Sequence, residues 1–140
     1  MKTAIYLFVI VFSISTAWAS GDTITTETGL KYVQVKAGDG NKPKEGSKVR
    51  VTYTGRLEDG TVFDSMNTYG VFKFTIGDKD IIPGWNEGFL MMSKGEKAIL
   101  IVPPHLAYGK RGVKDPENER RFIVPPNATL IFEVELISFK

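Results

Sequence analysis

Cysteine is absent from the 140 residues, and histidine occurs once. The first absence excludes disulfides, thiolate metal sites and lipid-modified cysteine. The second leaves His105 without a second His or a Cys to share a metal, which argues against zinc. No Gly-x-Ser-x-Gly elbow is present for a Ser–His–Asp hydrolase. Neither Gly38-Asp39-Gly40 nor Gly109-Lys110-Arg111-Gly112 completes a phosphate-binding or dinucleotide fingerprint. His105, in the strand exit Pro103-Pro104-His105, is therefore read as a bystander. A large charge of one sign is lacking too. Eighteen Lys and Arg against 16 Asp and Glu leave a net +2, which calls for neither nucleic acid nor an anionic surface. No cofactor and no metal are expected.

One long apolar run exists, and it is at the start. Ala4 to Ile14 is interrupted only by Ser13, behind the basic Met1-Lys2 and ahead of Ala17-Trp18-Ala19. It is short of the roughly 17–25 residues that a membrane span needs. The small-x-small triplet fits a processing site. Residues 1–19 are therefore expected to be a secretory signal peptide, with cleavage after Ala19 and no stable membrane insertion afterwards. The expected destination is periplasmic, or secreted and extracellular. Asn127-Ala128-Thr129 is a glycosylation sequon, relevant only in a eukaryotic secretory pathway.

What remains has ordinary globular composition, 42% hydrophobic and 24% charged, enough for one domain with a real core. Residues 20–29 are polar and Thr-rich, and are expected to form a flexible lead-in to a domain over 30–140. Leu30–Val35 reads as a first strand. Val49, Val51 and Tyr53 alternate with Lys48, Arg50 and Thr52, a half-buried strand. Thr61–Asp64 and Val71–Ile76 read as further extended chain. Ala98–Val102 is apolar on both faces, as in a central strand. Leu130, Phe132, Val134 and Leu136 line one face of a last strand. Trp85, Phe89 and Met92 form the one convincing helical stripe, with Gly88 and Gly95 limiting its length. Lys110–Arg121 carries eight charges in twelve residues and is expected to be a solvated loop, or else a docking arm. The pattern is α+β: about five antiparallel strands covered by one short helix.

The chain is rich in aromatics placed at strand and turn positions. Tyr53, Phe63-Asp64, Phe72, Trp85, Tyr108 and Phe132 include no obvious nucleophile. Such a set suits a site that binds something apolar and works by shape and desolvation. Trp85 can close the core below and present a ring face above. Glu58-Asp59 reads as a solvated turn, whereas Asp64, directly after Phe63, reads as a polar group at an aromatic rim.

Four blocks, Val51–Ser65 (VTYTGRLEDGTVFDS), Ile81–Trp85 (IIPGW), Gly95–Gly109 (GEKAILIVPPHLAYG) and Pro125–Leu136 (PPNATLIFEVEL), resemble the FKBP-type peptidyl-prolyl cis-trans isomerases. The resemblance covers Leu30 to Lys140. It implies a five-stranded antiparallel half-barrel sheet wrapped around one short helix, with a pocket between them. Carried over position by position, the catalytic residues are Tyr53, Phe63, Asp64, Ile82, Trp85, Tyr108 and Phe132. Phe72, Ile81 and Val124 are implied to complete the substrate- and macrolide-binding surface. The Ile82 backbone N–H and the Tyr108 hydroxyl are implied to bind ligand carbonyls, over the Trp85 ring.

The chain departs from the family pattern at three places. Many members carry a basic residue after the FDS block that pairs with the Asp, and Met66–Phe72 has none. The Gly109–Pro125 stretch is longer and more charged than in minimal members. The resemblance implies a rotamase acting on proline-containing polypeptide clients and inhibited by macrolides such as tacrolimus or rapamycin. Nothing ahead of the domain reads as a dimerisation helix, so a monomer is expected. The alternative reading is a chaperone or adaptor module that holds Pro-containing segments with little catalysis.

Overall fold

The computed structural model describes residues 21–140. The expected signal peptide, residues 1–19, lies outside them. Nine strands and one α-helix follow in the order β1 (Thr23–Thr25), β2 (Lys31–Lys36), β3 (Lys48–Leu57), β4 (Val62–Met66), β5 (Phe72–Thr75), α1 (Pro83–Met91), β6 (Lys97–Val102), β7 (Val113–Asp115), β8 (Asn118–Val124) and β9 (Leu130–Phe139). A single 3-10 turn, Pro104–Leu106, follows β6. The main sheet runs β1-β2-β6-β9-β3-β4, with β5 also paired to β3, and every pairing is antiparallel. It is the expected antiparallel sheet on one helix. Two short pieces, β1 and the separation of β4 from β5, raise its strand number to seven.

Alternation along β3 and β9 decides which face is the core. Val49, Val51 and Tyr53 meet Phe139, Leu136 and Val134 across the ladder, and all but Phe139 are buried. Lys48 and Arg50 turn to solvent. Helix α1 begins where Pro83 occupies its first turn, a position that tolerates a missing N–H. Its buried stripe is Trp85 and Phe89, continued by Met92 just past its end. Each such side chain contributes about 1.5–3 kcal/mol when fully removed from water.

Gly84 and Gly88 serve packing. A Cβ on Gly84 would lie 2.4 Å from Val102 Cγ1, and one on Gly88 would lie 2.7 Å from Leu100 Cδ1. Their lack of side chain lets α1 sit directly on β6.

Two expectations are corrected. The lead-in over residues 20–29 is not loose in its described part: Thr23–Thr25 forms β1 against Lys31–Val33, and Thr26 and Leu30 close a turn. Backbone pairing suffices there, so no apolar pattern was needed. The Lys110–Arg121 stretch is mostly exposed, as expected, but is not an irregular loop. Most of it belongs to a separate hairpin, β7–β8, with Val113 paired to Val124.

One acid is buried. Glu96, 3% exposed, follows Gly95 at the entry to β6. Its carboxylate accepts hydrogen bonds from the Tyr32 hydroxyl and from Gln34 Nε2, the latter at 2.8 Å. Burial raises its pKa above the ordinary 4.5, although the Ser93 backbone bond opposes the shift. The folded state therefore holds this proton more tightly than the unfolded one. The associated stability is complete below pH 4.5 and is lost as pH rises through the raised value. Urea midpoints from about pH 4 to about pH 7 should fall more steeply for the wild type than for Glu96→Gln. Parallel profiles would show that Glu96 keeps an ordinary proton affinity.

Candidate functional site

A cleft of about 180 Å³ opens between the start of α1 and the concave side of the sheet. Its wall comes from separate elements: Tyr53 on β3, Phe63 and Asp64 on β4, Phe72 on β5, and Phe132 on β9. The segment entering α1 adds Asp80, Ile81 and Ile82, and the helix adds Trp85. Tyr108, beyond the 3-10 turn, stands at the mouth and is 39% exposed.

Trp85 is the floor. It is 5% exposed, and five rings surround it. Tyr53 lies at 4.9 Å with an interplanar angle of 79°, and Phe132 at 5.2 Å with 74°. Phe89 at 5.4 Å and Phe72 at 6.0 Å also meet it edge-on, while Phe74 is tilted at 5.6 Å. Edge-to-face packing places the positive rim of one ring on the negative face of another and adds about 0.5–1.5 kcal/mol per pair. The indole Nε1–H is buried without an acceptor among the described residues. The ring is thus held by packing alone.

A β-bulge sets the side wall. Gly55 is opposite Asp64, but Arg56 is opposite Val62, which leaves Phe63 as the extra residue. In a regular strand Phe63 and Asp64 would point to opposite faces. The bulge re-aims them, and both border the cleft. Phe63 then meets Phe132 edge-on at 5.6 Å. Gly55 makes room for that contact: a Cβ there would lie 2.7 Å from Phe63 Cζ and 2.8 Å from Phe132 Cε1.

Asp64 is held by neutral donors. Its Oδ2 accepts from the Tyr53 hydroxyl at 2.7 Å and its Oδ1 from the Ser65 N–H at 2.9 Å. Burial pushes the Tyr53 phenol far above its usual value, and the hydrogen bond and charge of Asp64 push the same way. Tyr108 is raised too, first by burial and then by Asp64. Both phenols stay protonated through the neutral range and remain donors. Ile82 is the N-cap of α1, and its carbonyl accepts from Trp85 and Asn86. Its own N–H has no backbone acceptor among the described residues.

Nine of the ten residues expected from the sequence border this cleft. Val124 does not: it is 2% exposed on β8, opposite Val113, and packs into the core. His105 lies outside as well, its Nε2 2.6 Å from the Thr28 carbonyl. Asp80 and Gly55 were missed. Asp80 sits in a polar turn whose sequence resembles any other. Gly55 had a signal, because a glycine inside a strand marks close approach of another group.

The lining contains no Ser, Cys, Lys or His. Such a cleft can bury an apolar ring against Trp85 and donate hydrogen bonds to carbonyls at its mouth. It offers no hydroxyl, thiol, amine or imidazole nucleophile from Ser, Cys, Lys or His. Gly55→Ala should force Phe63 or Phe132 aside and cost about 1–3 kcal/mol of stability, read from urea denaturation. An unchanged midpoint would mean that the wall yields freely.

Comparison with known proteins places these features in a family. Residues 39–137 match the profile for FKBP-type peptidyl-prolyl cis-trans isomerase. The chain is 47% identical over 111 residues to peptidyl-prolyl cis-trans isomerase Fkbp12 of Drosophila melanogaster, covering 78% of this chain and 96% of that one. It is 44% identical over 113 residues to FK506-binding protein 1 of Dictyostelium discoideum, covering 80% and 99%. Among solved structures, AtFKBP13 superimposes with a TM-score of 0.76 at 32% identity, covering 85% of this chain and 99% of that one.

Proposed function

The chain belongs to the FKBP-type peptidyl-prolyl cis-trans isomerases, and we propose that the cleft over Trp85 is where it turns X–Pro bonds, by desolvation and shape. The observation that carries the reading is the ring of aromatics around Trp85, with the Tyr108 hydroxyl and the Ile82 N–H among the groups that border the cleft. Rotation about an amide is opposed by resonance, with a barrier of about 18–20 kcal/mol. The planar amide is charge-separated, whereas the twisted amide is less polar across C–N. A dry pocket disfavours the planar form relative to the twisted one, and no covalent step is needed.

In this reading the proline ring lies on Trp85, walled by Tyr53, Phe72 and Phe132. Phe63, Ile81 and Ile82 close the sides. The Ile82 N–H and the Tyr108 hydroxyl hold the carbonyls on either side of the bond. Asp64 fixes the Tyr53 ring and faces the twisting carbonyl group. A rate gain of about 10⁴ requires roughly 5.5 kcal/mol of differential stabilisation. Burial of one proline ring supplies a few kcal/mol of gross binding, and fit to the twisted shape supplies the remainder. FK506-type macrolides, named in a relative, fit the same pocket as competitors. Residues 1–19 are read as a signal peptide, so the enzyme acts on exported clients; the chain is read as a monomer. Among the described residues no helix is long and apolar enough to cross a membrane. Exported material should show an intact mass beginning at Ser20, and a full-length mass in the membrane fraction would refute export.

Turnover of a short prolyl peptide tests the mechanism. Phe132→Ala and Trp85→Leu should each lose more than about tenfold in kcat/KM, while His105→Ala should match the wild type. Asp64→Asn should fall between them. The profile should be nearly flat from about pH 5.5 to about pH 8.5, since the cleft phenols are shifted upward and no histidine lines it. A steep step near about pH 6.5 that vanishes in His105→Ala would refute desolvation as the mechanism. Peptide binding without turnover would favour the holding module.

A further inference from the structure

A second groove against β3 lies apart from the aromatic cleft. It has a volume of about 520 Å³ and is bordered by β3, β5 and the end of β9. Its polar lining is basic. Arg50 lies directly opposite Lys73 of β5, with Ser138 of β9 on its other side. Two residues earlier, Lys48 is opposite Thr75, and it exchanges backbone hydrogen bonds of 2.9 and 3.0 Å with Lys140. Register and alternation put Lys48, Arg50, Lys73 and Lys140 on one solvent-facing side. All four are exposed. No carboxylate side chain lines the groove. The two ion pairs among the described residues, Arg56–Glu133 and Lys97–Glu135, use none of these cations.

Like charges directly opposite each other on a sheet destabilise it. Here Arg50 faces Lys73 and Lys48 faces Lys140, side by side, with no carboxylate side chain in the lining to offset them. Net charge does not account for this, because the chain as a whole is nearly balanced. We propose that this groove is a docking site for an acidic, extended polypeptide segment with carboxylates at alternate residues. The spacing suits that occupant. Alternate residues of an extended chain are about 6.6–6.8 Å apart, the same repeat that separates Lys48 from Arg50 along β3. Strand β5 couples the two sites by position: Phe72 enters the aromatic cleft, and Lys73, next in sequence, turns to the basic groove. A client held by an acidic stretch would lie on the reverse of the sheet that carries the cleft. The inference stands on charge and register and does not depend on the isomerase mechanism.

The test uses a short fluorescent peptide alternating Glu and Thr, without proline, and its Gln-for-Glu counterpart. The Glu peptide should bind the purified protein saturably at about 20 mM salt and release at about 300 mM, where the Debye length is shorter. The Gln peptide should not bind. Arg50→Gln with Lys73→Gln should weaken binding by about tenfold or more, the loss expected when charge-assisted contacts are removed. The double variant should melt no lower than the wild type, because an opposed cation pair is relieved, and should turn over an uncharged prolyl peptide at the wild-type rate. Lys48→Gln alone should also weaken binding, which guards against misfolding of the double variant. Absence of saturable binding, equal binding by the variants, or tighter binding of duplex DNA than of the Glu peptide would each overturn the proposal.

Discussion

The burial of Trp85 at the start of the helix is the constraint on which the rest depends. One indole must be covered from below by Phe89 and Phe74 and from the sides by Tyr53, Phe72 and Phe132. Those rings come from α1, β3, β5 and β9, so satisfying Trp85 ties the helix to both sides of the sheet. The one face left uncovered becomes the cleft floor. Core packing and site construction are therefore the same act, and a substitution at Trp85 changes both.

Several small features keep that arrangement at the right distance. Gly84 and Gly88 bring the helix onto Val102 and Leu100. Gly55 admits two phenylalanine rings where any Cβ would collide. The bulge at Phe63 places an aromatic ring and a carboxylate on the same wall, which a regular strand cannot do. Asp64 is then satisfied by a phenol and a backbone N–H. Neutral donors leave its charge uncompensated by any basic side chain of the lining, and that charge helps keep Tyr53 and Tyr108 protonated.

Much of this was legible beforehand, for physical reasons. Alternation in Val49–Tyr53 and Leu130–Leu136, and the stripe Trp85, Phe89, Met92, mark faces that must be buried, and burial is what sequence periodicity records. Strand β1 and the β7–β8 hairpin escaped because backbone pairing holds them and their side chains are mostly exposed. Val124 pairs with Val113 inside that hairpin, which takes it off the cleft. Gly55 carries a signal of close approach, a glycine inside a strand, but the rings it admits and the Phe63 bulge are properties of register, visible only when partner strands are known. The resemblance to the isomerase family supplied the grouping of the cleft residues, which periodicity alone could not.

The central claim is that the Trp85 cleft is the place of turnover. Trp85 is the single tryptophan of residues 20–140, so its emission reports on that cleft directly. The decisive measurement is a titration of residues 20–140 with FK506, following Trp85 fluorescence and prolyl-peptide turnover in the same samples. The account predicts that emission changes and activity is lost together, with one midpoint and one ligand per chain. Full inhibition with unaltered emission, or an emission change that leaves turnover intact, would place catalysis elsewhere.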